Sequence, residues 1–174
     1  MACLKTLPRR RSGSAKGDSY GQFRLGAMYA NGEGVPEDDA RAFVWFSVAA
    51  ASGLTTASEN RDSIKGELTP TQLEKGQARA TEILEQVQKL YRKAAEQGHA
   101  EAQYKLGNCY FRGIGVPDDD VAAYAWNSVA AASGYEKARN MLDVTSHMLT
   151  ASELEKGAAM AREISDRIEK RKAE

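Results

Sequence analysis

The sequence predicts an all-α fold, a solenoid of stacked helix pairs, from two observations. The first is an internal repeat: a shift of 81 residues aligns residues 17–93 with 98–174, and 33 of the 77 aligned positions are identical. The second is that apolar residues recur at helical spacing, whereas no segment alternates with the period of a strand. A segment repeated at this length is typical of units that bury their apolar faces only by stacking.

The first two helices of each copy are marked by their stop signals. Residues 19–31 carry apolar side chains at helical spacing, and Gly32 and Gly34 end that helix because glycine accepts a left-handed backbone. We expect Pro36 just inside or before the second helix, with the acidic residues 37–39 in its first turn. That helix runs through Trp45 to Ala51.

The third and fourth helices complete the copy. A third helix is predicted at about 55–66, and the fourth opens at a capping box, Thr69-Pro70-Thr71-Gln72, which the second copy keeps as Thr150-Ala151-Ser152-Glu153. In the first copy little interrupts the fourth helix before Gly98, which makes it about 28 residues long, or ~42 Å. The prediction is therefore eight helices.

The repeat also predicts the domain organisation. We expect a mobile leader at 1–16, a first copy at 17–97 and a second copy at 98–174, with 17–174 forming one solenoid domain. Gly17 aligns with Gly98, the end of a long helix, yet the leader lacks that helix's apolar pattern. Because an open solenoid end exposes core, we expect either a longer array or self-association through the open ends.

The repeated motif resembles the Sel-one-like repeat (SLR), a relative of the tetratricopeptide repeat. The motif reads QFRLGAMYANGEGVPEDDARAFVWFSVAAASG at 22–53 and QYKLGNCYFRGIGVPDDDVAAYAWNSVAAASG at 103–134. Residues 61–77 look like the divergent stretch that follows the motif in bacterial members, and the resemblance covers 17–174. It implies a right-handed α–α superhelix that binds proteins or peptides on its concave face, which the first helix of each pair lines.

Composition narrows the function classes. Lys+Arg and Asp+Glu number 24 each, so no net charge recruits nucleic acid or an anionic membrane. No apolar run is long enough for membrane insertion, and the short apolar stretch at the N-terminus does not form a signal peptide, which favours the cytoplasm. Two cysteines, Cys3 and Cys109, provide neither a disulfide framework nor a metal site, and we expect no cofactor.

Several chemically suggestive residues have simpler structural explanations. His99 and His147 belong to no metal pair, so we expect them at the surface. The two Gly-x-Gly segments follow helices and lack a phosphate-binding Lys-Ser/Thr, which favours turns. The acidic clusters at 37–39 and 118–120 suit helix starts, and the register of Trp45 and Trp126 indicates core positions.

A polar and aromatic stripe is the candidate binding site. If Leu106, Gly107 and Tyr110 face inward, as in tetratricopeptide repeats, five residues of the second copy turn to the concave side: Glu101, Tyr104, Asn108, Phe111 and Arg112. The first copy offers Tyr20, Phe23 and Asn31, with Ala27 and Ala30 between them. An amide and a guanidinium one turn apart, beside aromatic rings, suit a peptide backbone or a carboxylate. Packing between neighbouring helices is the alternative.

Two functions remain from the sequence. The first is a non-enzymatic scaffold or adaptor for a protein or peptide partner. The alternative is a cell-wall-related hydrolase or ligand-binding protein, as the resemblance implies for cysteine-rich relatives, whose cysteines this sequence lacks. A hydrolase needs a nucleophile supported by a base, and the sequence shows no histidine placed to support a serine or cysteine. The scaffold is therefore the favoured prediction.

Overall fold

A computed structural model of the chain describes residues 17–173 and consists of eight α-helices in that range. The helices are α1 (Gly17–Asn31), α2 (Asp39–Ala51), α3 (Thr55–Lys65), α4 (Pro70–Glu96), α5 (Ala100–Arg112), α6 (Asp120–Ala132), α7 (Glu136–Ser146) and α8 (Ala151–Ala173). No strand is present among the described residues. The predicted all-α repeat fold is confirmed, including the third helix and the long fourth one. The leader at 1–16, with Cys3, lies outside the described residues.

The chain forms two compact units, one ending at Ile83 and the other beginning at Leu84. The division falls inside α4, so this helix contributes its first half to one unit and its second half to the other. In the first unit α2 packs against α1 and α3. In the second unit α6 packs against α5, α7 and α8. The second helix of each copy is thus the central element of its unit.

The two units have separate cores. The first core is built around α2 and consists of Phe23, Ala42, Phe43, Phe46, Ala49, Ala57 and Ile64. The second is built around α6 and consists of Ala95, Leu106, Ala125, Trp126, Val129, Ala161, Ile164 and Ile168. Small alanines let the helices approach, and aromatic or branched side chains provide the buried area.

Glycines allow the first two helices of each copy to pack closely. A Cβ added to Gly26 would lie 2.7 Å from the ring of Phe46, and one added to Gly107 would lie 2.6 Å from the amide nitrogen of Asn127. Either contact is shorter than real Cβ atoms show, so a side chain at these positions would force Phe46 or Asn127 to move. The motif's Leu-Gly pair therefore sets the spacing between the first and second helix.

The start of the second helix differs slightly from the prediction. Asp38 is the N-cap residue, its carboxylate accepts a hydrogen bond from the backbone nitrogen of Arg41 at 2.9 Å, and α2 begins only at Asp39. Pro36 and Glu37 therefore precede the helix. Asp119 caps α6 in the same way. The acidic residues act mainly through capping, which satisfies a backbone N–H that has no partner within the helix.

Both capping boxes form as predicted. Thr69 donates its backbone nitrogen to Gln72 Oε1 at 3.0 Å, and Thr150 donates its backbone nitrogen and its hydroxyl to Glu153 at 2.8 and 2.7 Å. These hydrogen bonds, that of the Thr150 hydroxyl first, lower the pKa of the Glu153 carboxyl from its ordinary value of 4.5. The first copy has an uncharged glutamine at the same place.

This difference predicts an acid-dependent change in stability at the start of α8. The pKa of Glu153 is lower in the folded protein than in the unfolded chain. The ionised carboxylate therefore stabilises the folded state at a pH above the pKa of the unfolded chain, and this stabilisation is lost as the pH falls through the pKa of the folded protein. Urea titrations between about pH 5 and about pH 3 should show a larger loss of stability for the wild type than for Glu153→Gln. The box at Gln72 does not titrate, and Gln72→Glu should add to the acid-dependent loss. Equal losses in all three proteins would contradict the assignment.

Candidate peptide-binding surface

The candidate site lies on α5, whose two sides differ in burial. Leu106 is fully buried, Gly107 and Cys109 are buried with it, and Tyr110 is half-buried against the second core. The predicted inward orientation of Leu106 and Gly107 is confirmed. The other side carries the residues that we call the α5 stripe: Glu101 and Arg112, which are exposed, and Tyr104, Asn108 and Phe111, which are half-buried.

Tyr110 has a role at the edge of the core that its motif position did not reveal. Its hydroxyl accepts a hydrogen bond from the guanidinium of Arg92 on α4, and the guanidinium carbon lies 5.8 Å from the centre of its ring. The tyrosine therefore ties α5 to the second half of α4.

An aromatic pair occupies one end of the α5 stripe. The ring of Tyr104 lies 5.1 Å from that of Tyr135, centre to centre, with the planes tilted by 40°. Tyr135 is the N-cap residue of α7. Burial raises the pKa of its hydroxyl, and the nearby Glu101 carboxylate and Tyr104 add to the increase while Lys105 opposes it. The phenol therefore stays protonated and can donate a hydrogen bond.

Sequence reasoning missed Tyr135 because it considered only the first helix of each pair. The 81-residue shift places Leu54 at this position in the first copy, where no ring is available. The leucine-to-tyrosine change between otherwise similar segments was the signal in the sequence that pointed to it.

The charged side chains beside the Tyr104–Tyr135 pair, Glu101 and Lys105, already contact other groups of the protein. Lys105 Nζ lies 3.5 Å from a carboxylate oxygen of Glu101, one helical turn away. The same ammonium lies 5.3 Å from the centre of the Tyr91 ring. Ion pairs at the surface contribute little to the stability of the fold. A binding partner could therefore replace Lys105 as the partner of Glu101 with little loss of stability.

Asn108 and Arg112 differ from Glu101 in having no such contacts. Neither side chain makes a hydrogen bond or an ion pair with any residue between 17 and 173. They lie four residues apart in one helix, so they share a face with Tyr104. The α5 stripe thus brings together an aromatic ring, an amide and a guanidinium.

The first copy does not offer the same surface, and one predicted site residue there is wrong. Phe23 is only 2% exposed, and its ring packs 5.5 Å from that of Phe46, so no partner can contact it. Tyr20 stacks on Phe23 at 6.4 Å, and Asn31 is exposed and donates a hydrogen bond to the carboxylate of Glu33. The phenylalanine belongs to the first core.

One difference between the copies that bears on this surface lies in the neighbouring helix. Where α2 has Phe46, α6 has Asn127, which is fully buried and donates to the carbonyl of Ala123 at 2.8 Å. In the first copy, Phe23 packs against the ring of Phe46. The second copy has no phenylalanine at the corresponding position, and Tyr104 contacts the ring of Tyr135 instead. The second copy therefore exposes an aromatic surface that the first copy buries.

The remaining candidate residues are not gathered into a reactive site. His99 and His147 are exposed, as predicted, and Cys109 is buried, where desolvation raises the pKa of its thiol to about 11. Among residues 17–173 no cluster of three or more histidine, cysteine or acidic side chains is arranged to hold a metal. In the same range no helix combines the length and the apolar character needed to cross a bilayer.

Comparison with known proteins identifies the repeat. The Sel1 repeat family matches residues 19–54, 88–99 and 100–135. The chain is 28% identical over 138 residues to an exopolysaccharide production negative regulator from Rhizobium leguminosarum bv. viciae, covering 72% of this chain and 49% of that protein. It therefore spans about half the length of this curated relative.

Two solved structures are also similar. A protective antigen of uropathogenic Escherichia coli strains, which displays an SLR fold, has 26% identity and a TM-score of 0.48, covering 89% of this chain and 39% of the antigen. A Sel1 repeat protein from Oxalobacter formigenes has 31% identity and a TM-score of 0.34, covering 75% of this chain and 46% of that protein.

The matched segments correspond to the motifs read from the sequence. Residues 55–87 are unmatched and include the whole of the divergent stretch at 61–77, and no match extends beyond residue 135. The two full matches each contain a Leu-Gly pair, the Gly-x-Gly-Val-Pro turn and the alanine-rich second helix. These matches and the all-helical structure of residues 17–173 identify the chain as a protein built from Sel1 repeats.

Proposed function

We propose that this protein is a non-enzymatic adaptor that binds an extended peptide segment of a partner protein along the α5 stripe. The observation that carries the proposal is the combination of an unbonded amide and an unbonded guanidinium, Asn108 and Arg112, on the same face as the Tyr104 ring. An amide pairs with a peptide backbone, and a guanidinium pairs with a carboxylate through two parallel hydrogen bonds.

The Tyr104–Tyr135 pair also supports peptide binding at the α5 stripe. Tyrosine is enriched at binding hot spots because it offers a rigid apolar ring and a polar hydroxyl together. Both rings are only partly buried, so a partner side chain can cover their remaining surface. We propose that this pair anchors an apolar residue of the peptide, while Asn108 and Arg112 hold its backbone and a carboxylate.

The chemistry of Cys109 argues against this thiol as the nucleophile of a hydrolase. A thiol with a pKa of about 11 is almost entirely protonated at neutral pH, and only the thiolate is a good nucleophile. The named regulator relative motivates a regulatory role for the adaptor, exerted through contact with another protein.

Substitution of the α5 stripe tests this proposal. Asn108→Ala combined with Arg112→Ala should weaken binding of the partner at least tenfold, about 1.4 kcal/mol, because the peptide loses both polar contacts. The partner is first isolated with the wild-type protein, and its affinity for each variant is then measured by calorimetry. Circular dichroism should be unchanged, since both side chains are at least partly exposed.

The first copy provides the matched control. The equivalent positions are Ala27 and Asn31, and Asn31→Ala should leave the affinity unchanged. If the double variant in the second copy binds its partner as tightly as the wild type, or if Asn31→Ala weakens binding to the same extent, the α5 stripe is not the binding surface.

A further inference from the structure

A cavity of about 190 Å³ opens at the surface of the second unit, away from the α5 stripe. Its wall includes the turn at Gly98, the buried side of α5, the end of α6 and the last turns of α8. The volume corresponds to roughly six water molecules and is below the ~300 Å³ at which pockets for drug-sized ligands begin. The cavity therefore suits one small molecule.

The α5 wall of the cavity contains a buried acceptor that the protein does not satisfy. Gln103 is only 1% exposed, and its Nε2 donates to the carbonyl of Ala95 at 3.2 Å. Its Oε1 accepts no hydrogen bond from the described chain. An unpaired buried acceptor is costly, so a ligand that donates a hydrogen bond here is stabilised.

Two serines in the wall are also available. Neither Ser133, the C-cap residue of α6, nor Ser165 on α8 uses its hydroxyl in a hydrogen bond within residues 17–173. By contrast, Ser128 on α6 donates its hydroxyl to the carbonyl of Tyr124 at 2.9 Å. A hydroxyl both donates and accepts, so these two serines match ligands that do the same.

The charges around the cavity cancel and so disfavour an ionic ligand. Lys172 Nζ lies 2.9 Å from a carboxylate oxygen of Glu169, and both residues line the cavity. A cation would have to displace the lysine, while an anion would face the carboxylate, the negative end of the α6 dipole and the Gln103 acceptor. A neutral ligand meets neither obstacle.

We propose that this cavity binds a neutral polyhydroxylated ligand of the size of one sugar ring. Hydroxyl groups donate to Gln103 and Glu169 and accept from Lys172 and the serines, and the apolar face of the ring covers Val129 and Ile168 in the wall. The proposal does not depend on peptide binding at the α5 stripe.

Titration of the ¹⁵N-labelled full chain with D-glucose tests it by NMR. We expect saturable shifts of the Gly98 and Ser133 backbone amides and of the Gln103 side-chain amide, with a millimolar dissociation constant typical of so small a ligand. Ser133→Ala combined with Ser165→Ala should weaken binding at least fivefold. Ser165→Phe, which fills the cavity, should abolish it.

The first copy again supplies a control. Ser52 is the C-cap residue of α2 and the equivalent of Ser133, and Ser52→Ala should bind D-glucose like the wild type. Methylammonium chloride and sodium acetate serve as charged probes at the same ionic strength. Shifts that follow either ion instead of glucose, the absence of saturable shifts with glucose, or shifts that persist in folded Ser165→Phe would each overturn the proposal.

Discussion

Replacing Trp126 by alanine is expected to lower the free energy of unfolding by about 3–5 kcal/mol. The indole is 4% exposed and lies at the centre of the second core, where Leu106 and Ile164 also pack. Its removal forfeits a large buried area and leaves a cavity that the surrounding helices fill only in part. Urea denaturation followed by circular dichroism measures the loss.

Trp45 is the matched comparison, and here the structure corrects the sequence. The sequence predicts core positions for both tryptophans, but Trp45 is half-buried and absent from the residues that form the first core. We expect Trp45→Ala to cost about 1–2 kcal/mol, because only part of the indole area is removed from water. A loss for Trp126→Ala no larger than that for Trp45→Ala would contradict this assignment of the cores.

Gly115→Ala should be the other severe substitution. Gly115 adopts φ +68°, which costs a residue with a side chain about 1–2 kcal/mol. A Cβ there would also lie 2.5 Å from the carbonyl oxygen of Leu84 and 2.8 Å from the backbone nitrogen of Glu85. Because helix backbone cannot move aside as a side chain can, overpacking adds roughly 1–3 kcal/mol.

Gly34 separates these two contributions. It is the equivalent glycine of the first copy and has φ +76°, but the nearest atom to an added Cβ is the Met28 terminal methyl at 3.7 Å. Gly34→Ala should therefore show the backbone cost alone. Thermal or urea unfolding of the two variants gives the difference directly, and equal losses would mean that the turn at Gly115 does not press on α4.

The helices could be predicted from the sequence because their boundaries are set by local chemistry. Asp38 and Asp119 cap their helices, and Thr69 and Thr150 form capping boxes, through contacts within three residues along the chain. Each signal also occurs twice at the same spacing, which distinguishes a structural stop from an accident of composition. Local interactions of this kind are visible without knowledge of the tertiary structure.

The candidate site could be predicted only in part, because burial depends on residues far along the chain. The orientation of α5 could be predicted from its own motif. The burial of Phe23, by contrast, depends on packing against Phe46 in the next helix, which the helical spacing of residues 19–31 does not reveal. For the same reason the pairing of Tyr104 with Tyr135, across 31 residues, was missed. The repeat aligned these positions but did not reveal which substitutions between the copies were coupled.

The burial of Cys109 gives this protein an internal reporter of slow opening motions. It is the sole cysteine between residues 17 and 173, and its buried thiol reacts with an alkylating reagent only when the structure around it opens transiently. With Cys3 replaced by serine, the alkylation rate of the native protein therefore measures how often that unit opens. The first unit has no cysteine in its described part, so the two copies become kinetically distinguishable under native conditions.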